Sequence, residues 1–406
     1  MRSYLSIGVA LAALAVAGCD TVLPAGPPDN EALAGPIEDL SGAQLASHLV
    51  GDELFARVFA PADGLGPLFV AASCEGCHIG DGKGHEVTTL TRFGRFEGGL
   101  FSAMRAQGGP QLQHRAIDGY QAETVPAEAT GVTQLMPPAV TGLGYLEAIS
   151  DLTLLALADP TDADGDGISG VPNWIEAPDF PLDLADRVEQ AGRYIGRFGK
   201  KAGALNLLHQ TANAYLQDMG ITTDANPVEL ANQTVGTGSG DTVPDPEVGS
   251  SELASVVFYL RTLKVPPRRE QINGEVLEGE QIFEAIGCAS CHVPRLTTGE
   301  SDIAALSRVE IHPYTDLLMH DMGVGLDDGY TEGTALTSEW RTAPLWGIGL
   351  AADSQGGSAR YLHDGRAGTL REAILLHGGE ASVSSAAFET LSNAEAERLI
   401  RFLESL

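Results

Sequence analysis

Cysteine is scarce in this sequence of 406 residues, which holds only five. Basic residues are scarce too: 24 Lys and Arg stand against 55 Asp and Glu, a formal net charge of −31. A chain so acidic does not bind nucleic acid through its phosphates. It either attracts cations and basic protein partners or simply solvates an acidic surface. Histidine is limited to ten residues and tryptophan to three, so each histidine beside a cysteine carries weight. Beyond the N-terminal stretch no segment is apolar enough to span a bilayer. Glycine (49) and proline (22) are plentiful, which commits much of the backbone to turns and loops. The length suits two or three domains. A loop-rich chain of that size needs staples, and covalent cofactors would serve.

The N-terminus reads as a targeting segment. Arg2 is followed by an apolar core over residues 7–17, and then by Val16-Ala17-Gly18-Cys19. Small residues before a cysteine suit a processing peptidase pocket. The pattern resembles the bacterial lipobox, in which the cysteine is lipidated and becomes the mature N-terminus. The other reading is an ordinary signal peptide with an incidental cysteine. Residues 1–19 are thus expected to be a lipoprotein signal peptide. Residues 20–35, rich in Pro, Ala and Gly, are expected to be a tether. The protein would then sit on the periplasmic face of a membrane, inner or outer, anchored through Cys19.

The other four cysteines form two matching pairs, Cys74-Glu-Gly-Cys77-His78 and Cys288-Ala-Ser-Cys291-His292. None is left over for a disulfide. Two thiols at this spacing reach the two vinyl groups on one porphyrin edge, and the adjacent histidine offers its imidazole to the iron. A zinc site or a redox dithiol needs no histidine directly after each pair, and a dithiol needs no second copy. The expectation is two haem c groups.

The neighbourhoods of the motifs also repeat. Gly66 and Phe69 precede the first, and Gly279 and Phe283 precede the second. Residues 252–263 (ELASVVFYLRTL) and 395–406 (EAERLIRFLESL) align without a gap. Val256, Val257, Leu260 and Leu263 match Leu399, Ile400, Leu403 and Leu406, one apolar helix stripe. Ser392 and Glu395 form a capping box for the last helix. The expected fold is mainly α and loop-rich. It has two cytochrome c-like domains, 36–265 and 270–406, the N-terminal one enlarged by an insertion.

The enlarged unit carries Asp162, Asp164, Asp166, Gly167 and Ile168. Alternating carboxylates, a turn glycine and a following carbonyl suit a calcium ion. Asn173 stands where an EF-hand has its bidentate glutamate, and a solvated acidic loop is the alternative. Upstream, residues 137–149 are rich in glycine, which would permit close approach to a haem face. Glu147 in this segment is either a proton-shuttling carboxylate or a surface glutamate.

The chain resembles the di-haem oxidoreductase family, related to bacterial di-haem cytochrome c peroxidases and methylamine dehydrogenase maturation enzymes. Residues 313–323 (PYTDLLMHDMG), 339–347 (EWRTAPLWG), 361–366 (YLHDGR), 162–170 and 196–203 (GRFGKKAG) carry the resemblance. It implies that the C-terminal haem takes a sixth ligand from the helix after the His-Asp-Gly turn. That position here is His377, on a helix started by Thr369 and Glu372 and ended by Gly378-Gly379. Relatives often place Met or Tyr there. Two imidazoles lower the potential relative to His/Met; a histidine answering only the helix dipole is the other reading. The resemblance puts Glu147 in the distal pocket of a reactive N-terminal haem that binds peroxide opposite His78. The C-terminal haem would relay electrons from a small redox protein or other donor. His85 and His114 fall at no offset matching a displaceable ligand. No tryptophan holds the usual inter-haem position; Trp174, Trp340 and Trp346 lie elsewhere. A pure electron-transfer protein, or an oxygenase or protein-modifying enzyme on the same scaffold, are the rival readings.

Overall fold

The protein is described from a computed structural model covering residues 33–236 and 240–406. Cys19 and nearly all of the expected tether therefore lie outside the described residues. More residues are helical than extended, and irregular backbone outweighs both.

Two helix pairs frame the molecule. α1 (Gly42–Ala56) begins at Ser41, whose Oγ accepts from the Gln44 amide while the Gln44 side chain accepts from the Ser41 amide. This reciprocal cap satisfies two otherwise orphaned donors. The next helices are α2 (Leu143–Glu147), α3 (Asp151–Leu157), α4 (Leu207–Met219) and α5 (Ser250–Thr262). Those of the C-terminal part are α6 (Gly274–Ala285), α7 (Ala351–Ser354), α8 (Leu370–Leu375), α9 (Ser382–Thr390) and α10 (Asn393–Ser405). α1 packs on α5, and α6 packs on α10. The expected capping box at Ser392 and Glu395 starts α10.

The two pairs cross by the same device. An added Cβ on Gly51 would collide with the Ser255 carbonyl oxygen, and one on Gly279 with the Arg398 carbonyl oxygen. Only glycine lets the backbones approach so closely. Ser255 and Arg398 are equivalent positions of the two closing segments. One turn beyond each glycine lies a phenylalanine, Phe55 or Phe283. Phe55 packs 5.3 Å from Tyr259, and Phe283 packs 5.3 Å from Phe402, again equivalent positions.

This corrects the repeat read from the sequence. The counterpart of Gly279 and Phe283 is Gly51 and Phe55, not Gly66 and Phe69. Phe69 lies in a short strand, Leu68–Phe69, paired with Arg115–Ala116. A second glycine–phenylalanine pair close to Cys74 imitated the helical one, whose true partner lies farther upstream.

The long connection between the first motif and α5 supplies small antiparallel sheets and three helices. Strands Leu90–Glu97, Leu100–Ser102 and Gly131–Leu135 form one sheet. Trp174–Glu176, Glu189–Gln190 and Arg193–Ile195 form another. The turn at residues 196–203 is held from beneath by Arg197, which is 1% exposed. Its guanidinium pairs with buried Asp151 and donates to the Leu146 and Ile149 carbonyls. That anchor fixes the direction in which Lys200 and Lys201 leave the turn. The largest core cluster joins both halves of the chain, packing Phe55, Leu146, Val256 and Leu260 with Leu296, Leu317 and Trp346. A second lies within the C-terminal part around Phe283, Tyr314, Leu399 and Phe402.

Gly51→Ala and Gly279→Ala should each destabilise the holoprotein by about 1–3 kcal/mol, the usual cost of overpacking. Gly42→Ala, whose Cβ meets nothing within 4 Å, should be near neutral. Thermal melts of the three variants check this.

Candidate haem-binding cavity

Both Cys-x-x-Cys-His motifs open onto one cavity of about 1080 Å3. Each motif folds as one tight turn, the histidine amide donating to the carbonyl of the first cysteine at 3.0 Å. Each histidine is then pinned by its ring. Nδ1 of His78 lies 2.8 Å from the Pro138 carbonyl oxygen, and Nδ1 of His292 lies 2.9 Å from that of Tyr314. A carbonyl oxygen only accepts, so Nδ1 carries the hydrogen and the Nε2 lone pair is free. Burial lowers both imidazoles to about 4 and keeps them neutral, the state that binds a metal. Phe55 lies 6.1 Å from His78 and Phe283 6.3 Å from His292, completing two equivalent surroundings.

The thiols argue against the other readings of these motifs. Burial pushes Cys74 and Cys288 up to about 12 and Cys77 up to about 11. A redox dithiol needs the opposite shift. Among the described residues, no group of three or more carboxylates, imidazoles and thiols with metal-site spacing contains a cysteine. The paired thiols, a free Nε2 beside each pair and a large common cavity fit two covalently attached haems.

Six histidines line the cavity: His78, His209, His292, His320, His363 and His377. Their hydrogen bonds sort them. His209 accepts from the Leu205 amide at Nδ1 (3.3 Å), which puts its hydrogen on Nε2. His320 is engaged at both nitrogens, by Asp316 and Glu380, each at 2.8 Å. Burial alone would lower it, but hydrogen bonds to Asp316, Cys291 and Glu380 lift it to about 12 and hold it as imidazolium. His363 stacks on Trp340 with ring centroids 3.7 Å apart, and burial takes it down to about 3. His377 repeats the arrangement of the motif histidines. Its Nδ1 lies 2.6 Å from the Ala373 carbonyl oxygen, leaving Nε2 free, and its charge is felt at His292. It stands just past the end of α8. That helix starts at Thr369, which accepts from the Glu372 amide, while the Glu372 carboxylate reaches back to Gly368.

Glu147 is not among the residues lining the cavity. One carboxylate oxygen accepts from the Leu207 amide (2.7 Å) and the other from Arg261 Nε (2.5 Å). With both oxygens engaged, it ties α2 to the start of α4 and to α5. In this position it clamps helices together, off the cavity wall where the resemblance implied a distal acid. A carboxyl that does reach the cavity is Asp218 on α4, pushed up to about 6 by burial.

The acidic loop is also rearranged relative to the expectation. Oxygens of Asp159, Asp162 and Asp164 lie within 4.8 Å of one another. Asp166 stands outside that group and caps the Ile168 amide at 2.8 Å. Asp159, three residues upstream of the spacing pattern, takes the place given to Asp166. The Ile168 residue itself contributes to the cavity wall. His85 and His114 are not among the cavity-lining residues; His85 caps the Val87 amide. Trp340 and Trp346 both line the cavity and are well packed. Trp340 is sandwiched between His363 and the Lys201 ammonium, 3.6 Å from its ring centre.

Two haem sites in one cavity define a di-haem redox protein. The family model described as "Di-haem oxidoreductase, putative peroxidase" matches residues 11–92 and 129–406, and the chain belongs to that family. No curated protein matches the chain. A solved structure of Kuenenia stuttgartiensis hydrazine synthase, pressurised with 20 bar xenon, is similar over 100% of this chain and 99% of that one. The identity is 14% and the TM-score 0.40, a likeness too distant to bear on fold or chemistry.

The His320 cluster gives a pH signature. Charged His320 contributes fully below its ordinary value of 6.5, and that contribution fades as the pH rises toward about 12. Burial raises Glu380, but the His320 and Ser169 hydrogen bonds bring it down to about 2. Its contribution is therefore present above the ordinary 4.5 and is lost as the pH falls toward 2. Wild-type stability from this cluster should peak between pH 4.5 and 6.5. Urea melts of Glu380→Gln across pH should lose most of that bell; an unchanged profile would contradict the assignment.

Proposed function

We propose that the protein is a peroxidase-type di-haem oxidoreductase built from two cytochrome c-like units. Its N-terminal haem is the reactive one and its C-terminal haem relays electrons. The observation that carries this is the unequal supply of histidines. Three of the six cavity histidines donate Nδ1–H to a backbone carbonyl and keep Nε2 free: His78, His292 and His377. Two of the three are neighbours, so one iron is offered two such ligands and the other is offered one. An open position is what a substrate-binding haem requires, and bis-histidine ligation suits electron transfer.

The haems, when bound, supply irons that accept and donate single electrons. The chain's own groups do the rest. Nδ1–H bonds orient His78, His292 and His377 and raise their basicity. Near the N-terminal motif, α4 presents Gln210, Asn213 and Gln217 to the cavity, along with Arg92, which is ion-paired to Glu332. These groups form a polar wall able to orient a peroxide. Reduction of peroxide to two waters takes two protons and two electrons. Asp218, titrating near neutrality, is the cavity carboxyl suited to move a proton. The electrons would come from a small redox protein, and the acidic surface favours a basic one. Lipidation at Cys19 would hold the protein on the periplasmic face of a membrane.

EPR of the ferric holoprotein should give one low-spin bis-imidazole signal and one exchangeable or high-spin haem. Cyanide should bind one haem of wild type and both haems of His377→Ala. Two low-spin haems that both refuse cyanide, with no peroxide turnover, would favour the pure electron-transfer reading and sink this one.

A calcium ion at Asp159, Asp162 and Asp164 is part of the same reading, supported by the convergence of their oxygens. Calcium should raise the melting temperature of chelator-treated wild type and leave Asp162→Asn unmoved. An equal response of both proteins would count against the site.

A further inference from the structure

Three cations on the cavity wall form no ion pair among the described residues. Lys83, Lys200 and Arg341 all line the cavity. Lys83 Nζ donates to the Arg360 carbonyl oxygen at 2.6 Å, and Arg341 donates to those of Gly199 (2.9 Å) and Thr342 (3.1 Å). These acceptors are neutral. The Lys200 ammonium forms no hydrogen bond or ion pair with the described residues. Burial drives its pKa well down, and the charges of Lys83 and Arg341 drive it further. Asp364 is the carboxylate felt by both lysines, but it is committed to Arg366 at 2.6 Å. Asp316 is felt by Arg341, but it is committed to His320. Half-buried cations without an ion-pair partner are unfavourable. Arg341 donates its amide to the Lys200 carbonyl oxygen (3.0 Å), and the Lys200 turn is anchored by Arg197, so the backbone at both residues is fixed.

The position of the cluster identifies its anion. The charge of Lys200 acts on His78, the residue that would hold the N-terminal iron, whereas Asp218 acts on Cys74 and Cys77, which would hold the porphyrin's vinyl edge. Arg341 lies toward the other site: Asp316, which acts on it, also acts on His292. A porphyrin held by thioethers along its vinyl edge turns its two propionates to the opposite edge. We propose that Lys83, Lys200 and Arg341 form a carboxylate-binding cluster between the two haem sites, and that its ligands are the haem propionates. The charge and hydrogen-bond donors of the cluster then neutralise the propionates inside the protein. Lining one common cavity, the cluster would serve both haems. This inference rests on the presence of two haems and not on peroxidase activity.

The test is a spectroelectrochemical titration of the holoprotein in buffer free of carboxylate anions. Lys200→Gln should lower the midpoint potential of the N-terminal haem, because unneutralised propionates stabilise the ferric state. It should also introduce a pH dependence from propionate protonation, absent in wild type. Lys200→Arg should keep the wild-type values. Adding acetate separates the two sources of carboxylate. Propionates predict no response of wild type to acetate. A cluster built for a free carboxylate predicts a wild-type response to acetate that is lost in Lys200→Gln, with no change in acetate-free buffer; that result would overturn the assignment. Lys200→Gln potentials equal to wild type with and without acetate would overturn it as well. If Lys200→Gln does not accumulate as holoprotein, Lys83→Gln carries the same expectations. All of these readouts stand whether or not the protein turns over peroxide.

Discussion

The structure depends most on the hydrogen bond from Nδ1 of each motif histidine to a backbone carbonyl, Pro138 for His78 and Tyr314 for His292. It fixes the tautomer, the ring plane and the direction of the free Nε2 at once. It also explains the long connections that follow each motif. The first brings Pro138 back beneath the first imidazole, and the second brings Tyr314 beneath the other. Both returning segments are rich in glycine, proline or tightly turned backbone, because a carbonyl can be delivered to a buried ring only by a chain that leaves regular structure.

Around that constraint the molecule repeats itself. A glycine crossing point, a phenylalanine one turn later and an aromatic on the closing helix recur in each half, as Gly51, Phe55 and Tyr259 and as Gly279, Phe283 and Phe402. The halves then diverge in charge. Tyr259 donates to Asp81 close to the first motif, whereas Tyr314 answers Glu280 and Arg268 close to the second. The turn at 196–203 adds Arg197 and Lys201, both 1% exposed, to the N-terminal half. Two similar motif sites are thereby given different surroundings.

Several features were legible from residue order because their physics is local. Two thiols and a histidine in five residues need nothing distant to form a haem attachment turn. The Ser392–Glu395 cap and the stripes of α5 and α10 depend on spacing within one or two helical turns. His377 was reachable by offset because the helix that presents it is short and capped at Thr369. Features set by distant partners were not legible. Glu147 sits at a position suggestive of a distal acid, yet Arg261, more than a hundred residues away, claims it. The loop carboxylates followed the calcium spacing on paper, but the turn at Asp162 draws Asp159 into the group and turns Asp166 to a backbone amide. Lys200 was visible in GRFGKKAG, but nothing in that string says that its ammonium would face a cavity.

The sequence by itself determined the cofactor class and its number, because the motif that signals a haem is complete within five residues and occurs twice. It also determined the closing helices, whose periodicity needs no partner to be read. Only the tertiary structure decided that the two motifs open onto one cavity, which carbonyl holds Nδ1 of His78, His292 and His377, and that Glu147 is tied to Arg261 and the Leu207 amide. Those outcomes depend on which backbone carbonyl or charged side chain arrives from far along the chain to satisfy a buried group. That arrival is fixed by packing at Gly51, Gly279 and Arg197, and not by local pattern.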